Sequence, residues 1–270
     1  MTFDTGKSGA VFTAAKAEGR AALVGFMQVG YPDVPTSLQA LRRVATTCDL
    51  VEIGMPYSDP VMDGTIIQRT GTTALERGVR TKDVFSAAEA VTDAGGKAVV
   101  MTYWNIVERY GPDRFARDLA NAGGCGLVTP DLTPDEAEDW FVASDAHALD
   151  RIFLVAPSST DERIAATVDA CRGWVYATAV MGVTGTRTTA SAAAPELVRR
   201  IRALRSDVPI GIGLGVSDGK QAKGVAEFAD AVIVGSALMR TLIEAEDAGT
   251  PSELSALQVT LDDLAAGVRG

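Results

Sequence analysis

A carboxylate interrupts an apolar run near the start of the chain. Glu52 lies within "VEIGM", and Asp59 and Asp63 follow in "PYSDPVMDG". Successive side chains of a strand point to opposite faces, so Glu52 faces away from both Val51 and Ile53. If those two meet covering helices, Glu52 points into the interior. Burial there drives a carboxyl pKa upward, which suits a group that gives and takes a proton. The plain alternative is a buried acid paired with an internal cation, but no Lys or Arg lies near that end of the expected strands. The other two acids are less distinctive. Asp63 before Gly64 reads equally well as an Asp-Gly turn, and Asp59 can simply shape the turn before Pro60.

Other chemistries lack material. The six lysines (7, 16, 82, 97, 220 and 223) avoid the C-terminal ends of the expected strands, which disfavours a Schiff-base mechanism. One histidine, His147, cannot supply a His-based metal site or a Ser-His pair. No metal and no cofactor are expected. What remains is acid–base work by carboxylates, with Phe26, Tyr103 and Tyr176 available to line an apolar pocket. A carbon–carbon bond can break without imine or metal when the substrate carries its own electron sink, such as an aromatic ring protonated at carbon. Three glycine turns, "GVTG", "GLGVS" and "VGSA", add a second signal. Each alone reads as a tight turn. Together at neighbouring strand ends they suit a phosphate, with Ser236 free to cap the next helix and donate its hydroxyl.

These groups need a scaffold. Short β-branched runs recur roughly every 25 to 30 residues, each followed by an Ala-rich amphipathic segment. The expected strands are 22–30, 49–55, 98–104, 126–131, 151–157, 174–180, 210–215 and 231–237. The segment "TSLQALRRVATT" puts Leu38, Leu41 and Val44 on one face, as a covering helix needs. Strands apolar on both faces imply a parallel sheet, and eight units close a (β/α)8 TIM barrel. An extra N-terminal helix, "SGAVFTAAKAEG", has Ser8 as a possible N-cap and Gly19 as a stop, and would cover the barrel bottom. No linker divides residues 1–270, so a single barrel domain is expected. A doubly wound open sheet is the alternative, but its early G-x-G-x-x-G turn is missing. In such barrels the site forms at the C-terminal strand ends, where the polar and glycine-rich stretches collect.

Composition closes off other classes. The net charge of −10 opposes a nucleic-acid footprint, and "RRIRALR" reads as a solvated helix face with Ile201 and Leu204 inward. No stretch reaches the about 18 apolar residues of a membrane span, and no basic-then-apolar leader opens the chain. Cys48, Cys125 and Cys171 show no ligand spacing and suit reduced thiols of a cytoplasmic protein.

The motifs match a known family. "VEIGMPYSDPVMDGTIIQ" resembles the strand-two signature of the tryptophan synthase alpha chain, and the likeness extends through "FTAAKAEGRAAL", "MTYWNIVERYGPDRFARDLANAG", "PDLTPDEA", "GVTGTR", "GIGLGVS" and "VIVGSALM". The resemblance implies retro-aldol cleavage of indole-3-glycerol phosphate to indole and glyceraldehyde 3-phosphate. It makes Glu52 the catalytic acid/base and Asp63 the carboxylate that holds the indole N–H. It puts Phe26, Tyr103, Tyr176 and Thr184 at the substrate, and Gly185, Gly215, Gly235 and Ser236 at the phosphate. It also implies a beta-chain partner in an alpha2-beta2 assembly, met by Asp59, Pro60 and Asn105. The sequence departs from the family pattern at Gln28, Tyr31, Tyr57 and Ala179, which raises the question of how polar the pocket is. Two other readings stay open: another phosphate-binding barrel enzyme such as a sugar-phosphate isomerase, and a non-catalytic subunit that binds ligand and activates a partner.

Overall fold

The computed structural model describes residues 2–178, 193–213 and 215–270. Its strands are β1 (Ala22–Gln28), β2 (Leu50–Gly54), β3 (Ala98–Met101), β4 (Gly126–Val128), β5 (Asp150–Ile152), β6 (Leu154–Val155), β7 (Val175–Thr178), β8 (Ile210–Gly213) and β9 (Ala231–Val234). The first six helices are α1 (Gly9–Ala17), α2 (Val34–Thr47), α3 (Thr65–Glu76), α4 (Lys82–Asp93), α5 (Trp104–Tyr110) and α6 (Pro112–Asn121). They are followed by α7 (Glu138–Ala146), α8 (Asp161–Ala170), α9 (Ala193–Leu204), α10 (Gly219–Ala226), α11 (Ser236–Asp247) and α12 (Ser255–Arg269).

Every ladder between these strands is parallel, in the order β5-β4-β3-β2-β1-β9-β8-β7-β6. The ring is that of a (β/α)8 TIM barrel, with one expected strand broken in two. The run "RIFLVAP" pairs with β4 through β5 and with β7 through β6. Phe153 lies at the break, where its carbonyl accepts a hydrogen bond from the Tyr176 N–H at 3.1 Å. The ring therefore closes across the break.

Alternation along the strands sorts two cores. Val51 and Ile53 join the outer cluster against the helices, with Leu41 and Val44 of α2. Leu50, Val24, Val99, Ile152 and Trp174 form the inner cluster. Glu52 shares the inward parity of Leu50, opposite Phe26 on β1 and Val99 on β3. The interior is thus a packed core rather than a pore, as expected of eight-stranded barrels.

The bottom is sealed by α1. Phe12 stacks obliquely on Trp174 with ring centroids 5.1 Å apart, inside the inner cluster. Ser8 does not cap this helix through its side chain. Its N–H and hydroxyl both donate to the buried Asp150 carboxylate at 2.6 Å, joined by the Lys7 N–H at 3.2 Å. The Ser8 hydroxyl serves a tertiary tether, which sequence spacing does not reveal. Gly19 does end the helical region, in the left-handed conformation at φ 77°.

The basic run on α9 is a solvated face. Arg199 pairs with Glu196, Arg200 with Asp161, Arg202 with Asp230, and Arg205 with Asp169 and Asp207. Ile201 is buried as expected, but Leu204 is 42% exposed. Leu197 and Val198 supply the inward contacts instead, and Leu204 is the last residue of α9. Among the described residues, no helix is long and apolar enough to cross a membrane.

Candidate active site

A cavity of about 820 Å³, counting its open mouth, lies at the C-terminal ends of the strands. Its wall is largely apolar, built from Phe26, Met62, Ile67, Met101, Leu154 and Ile233, with Glu52, Asp63, Tyr176, Thr178 and Ser236 as the polar members.

Glu52 is wholly buried, and neither carboxyl oxygen has a hydrogen-bond partner among the described residues. Desolvation alone pushes its pKa up to about 8. Near neutrality the group is therefore mainly a neutral acid, able to donate a proton and then accept one. Two unsatisfied oxygens in a core cost stability, and at the cavity wall they are placed to meet a bound molecule.

Asp63 arrives from the loop between β2 and α3. Gly64 is the residue before α3, and the Gln68 amide donates to the Asp63 carbonyl at 2.8 Å. Burial raises the Asp63 pKa, and a hydrogen bond from Tyr103 opposes that rise. Two acids, each with its pKa raised by burial, share a single apolar cavity.

Tyr176 on β7 forms part of the wall, and burial followed by the nearby Glu52 raises its pKa well above the ordinary phenol value. It stays protonated. A Cβ at Gly213 would fall 2.4 Å from the Tyr176 hydroxyl oxygen. Gly213 is therefore required by this ring, although the sequence motif drew attention to the later glycine instead. Gly215 (φ 68°), Gly235 and Ser236 also line the cavity. Ser236 is the first residue of α11, with Gly235 in the capping position and no side-chain cap. Its hydroxyl is thereby left to the cavity rather than spent on the helix. Gly185 and Thr184 lie outside the described residues, as do Ala179 and Leu214.

Tyr103 stands elsewhere than expected. It is not part of the cavity wall; its ring stacks on Tyr57 at 4.6 Å and its hydroxyl faces the loop at Val61 to Asp63. The departures at Gln28 and Tyr31 also leave the cavity alone. Gln28 accepts a hydrogen bond from Thr70 of α3 at 2.5 Å, and the Tyr31 hydroxyl donates to Glu246 of α11. Gln28 ties the end of β1 to α3, and Tyr31 ties the loop that follows to α11. The wall residues Met62, Ile67, Met101, Leu154, Thr178 and Ile233 were not singled out by sequence. Inward parity at strand ends could have found Met101, Leu154, Thr178 and Ile233.

Asp59 and Asn105 are exposed and Pro60 half-buried, on the same end of the barrel as the cavity. Val61 beside them is 72% exposed. Among the described residues no cluster of His, Cys, Asp and Glu could hold a metal ion.

Comparison with known proteins agrees with this geometry. The family model for the tryptophan synthase alpha chain matches residues 12–269. The tryptophan synthase alpha chain of Mycobacterium tuberculosis (strain H37Rv) is 56% identical over 267 residues, 98% of this chain and 96% of the relative. That of Mycobacterium avium (strain 104) is 57% identical over 262 residues, covering 97% and 94%. Among solved structures, Mycobacterium tuberculosis tryptophan synthase superposes with a TM-score of 0.92 at 55% identity, over 99% of this chain and 100% of that one.

Proposed function

The chain belongs to the tryptophan synthase alpha chain family, and we propose that Glu52 moves the protons and Asp63 holds the charge in that family's reaction. The reaction is retro-aldol cleavage of indole-3-glycerol phosphate to indole and glyceraldehyde 3-phosphate, with indole passed to the beta subunit. The observation that carries the assignment is the buried Glu52 carboxyl, without a hydrogen-bond partner among the described residues and held neutral by desolvation at the wall of a cavity it shares with Asp63.

In this reading Glu52 starts as the neutral acid and Asp63 acts as the carboxylate. Neutral Glu52 gives its proton to C3 of the indole ring, and the ring N–H takes up positive charge. The Asp63 carboxylate accepts a hydrogen bond from that N–H and stabilises the cation. The Glu52 carboxylate then takes the proton of the side-chain hydroxyl next to the ring. Electrons of that O–H bond form the aldehyde carbonyl, and those of the breaking carbon–carbon bond return to the ring. Glu52 ends protonated, as it began. Phe26 and Tyr176 supply apolar wall for the indole. Gly215, Gly235 and Ser236, with Gly185 and Thr184 beyond the described residues, serve the phosphate side.

Ser236→Ala is the cleanest probe of that phosphate side, because a Cβ on Gly235 would meet Phe26 at 3.0 Å and disturb the ring pocket too. A hydrogen bond to a charged group is worth about 1.5–3 kcal/mol, so glycerol 3-phosphate should bind roughly tenfold or more weakly. Affinity for free indole should stay as it was. Calorimetric titration of both ligands checks this, and parallel losses would count against a phosphate contact.

The chain works with the beta chain, and we assign the contact to Asp59, Pro60 and Asn105. An apolar product leaves most economically into a second site, and these residues rim the same end of the barrel. Residues 1–270 act as one domain in this reading, since α12 packs back onto α2 and β1. Three buried free cysteines suit the cytoplasm. Indole release from indole-3-glycerol phosphate should be measurable for the isolated chain and rise on adding beta chain. Asp59→Ala should reduce that rise more than the basal rate. Absence of indole release with and without beta chain would overturn the reading.

A further inference from the structure

We infer that Tyr103 is a positioning residue, whose hydroxyl clamps the segment Val61, Met62 and Asp63 and aims the Asp63 carboxylate into the cavity. The inference rests on Asp63 acting at the reacting ring. Its own ground is the saturation of one hydroxyl. A phenol oxygen has two acceptor lone pairs and one O–H to give. The Val61 N–H donates to it at 3.1 Å and the Met62 N–H at 3.0 Å. With both lone pairs engaged, the remaining O–H is directed at Asp63 Oδ1, 3.3 Å away.

The clamp joins a firm element to a loosely held one. Tyr103 follows β3, and its neighbour Thr102 donates its N–H to the Val128 carbonyl at 3.2 Å. The Trp104 N–H, which opens α5, is held by both carboxylate oxygens of Asp131 at 2.9 and 3.1 Å. Tyr103 itself is only 5% exposed. The loop has less support of its own: Val61 projects into solvent, and the Asp59 carboxylate accepts only from the adjacent Ser58 hydroxyl among the described residues. Yet Met62 and Asp63 line the cavity. Without the hydroxyl, two backbone N–H groups lose their acceptor and Asp63 loses the donor that opposes its burial.

Glu52 from β2 and Tyr176 from β7 are the other titratable groups on the same wall. Glu52 changes charge near about 8 and Tyr176 higher still. Of these three groups Asp63 is the one suited to an acidic limb, and the substrate's phosphate monoester, with its second pKa at about 6, adds a limb that a substitution at Tyr103 leaves in place.

Tyr103→Phe tests the clamp, because it keeps the ring and its stack on Tyr57. The kcat should fall roughly tenfold while KM stays within about twofold. The acidic limb of kcat should move to higher pH, since the group that favoured the Asp63 anion is gone. In an Asp63→Asn background the same substitution should cost little further, because its effect runs through that carboxylate. Loss of activity in Asp63→Asn with wild-type kcat and limb in Tyr103→Phe would remove the clamp and leave the catalytic reading standing. Losses that multiply fully in the double variant would also overturn the clamp. Wild-type activity in Asp63→Asn would instead overturn the catalytic reading, and the clamp with it.

Discussion

Glu52→Gln is expected to lower cleavage of indole-3-glycerol phosphate by about 10²–10⁴-fold, the usual worth of a general acid–base group. Substrate binding should survive, since the amide keeps the size of the carboxyl. A variant retaining more than half of wild-type turnover would sink the assignment. The same substitution should make the folded chain more stable in alkali. Glu52 titrates near about 8 when folded, against an ordinary value of 4.5. Between those limits the unfolded chain loses the proton while the folded chain keeps it, so wild-type stability falls as pH rises. Below the lower value the two proteins should be alike. Glutamine never ionises, so the variant should pull ahead through this window, by on the order of 4 kcal/mol or less at its upper end. Denaturant unfolding at about pH 5 and about pH 9 reads the divergence. A constant gap across that range would mean that Glu52 is not held neutral by the fold.

Asp63→Asn should cost on the order of 10²-fold in kcat with KM nearly unchanged. The amide preserves shape, but it cannot offer a full negative charge to a ring that becomes cationic only towards the transition state. Steady-state kinetics with indole-3-glycerol phosphate separate the two parameters. If KM rises and kcat holds, Asp63 binds the ground state and does not stabilise the cation.

The barrel and its first acid were legible in the sequence because both depend on local periodicity. Glu52 falls on the opposite parity from Val51 and Ile53, and those two pack outward as the alternation requires. The strand count was readable in the same way, apart from the break at Phe153, which depends on hydrogen bonding to two different neighbours. What local pattern does not encode is partnership at long range. Ser8 looks like a helix cap, but its hydroxyl belongs to Asp150. Tyr103 looks like a pocket aromatic, but its hydroxyl is taken by a loop some forty positions earlier in the chain. Ser236 begins α11 instead of capping it, since Gly235 already makes the turn. Gly213 went unnoticed because its reason is the Tyr176 hydroxyl on the adjoining strand.

The seal beneath the barrel has a practical corollary. Asp150, Gly173 and Asp207 each stand just before or at the start of a strand, and residues 3–8 are hydrogen-bonded to all three. That end of the polypeptide is therefore pinned to the pole remote from the cavity mouth. A linker joined ahead of Phe3 would emerge on the far side from Asp59, Pro60 and Asn105. Attachment to a solid support through such a linker leaves the mouth facing solution and open to substrate. Attachment through Lys16, on α1, presents the molecule the same way up.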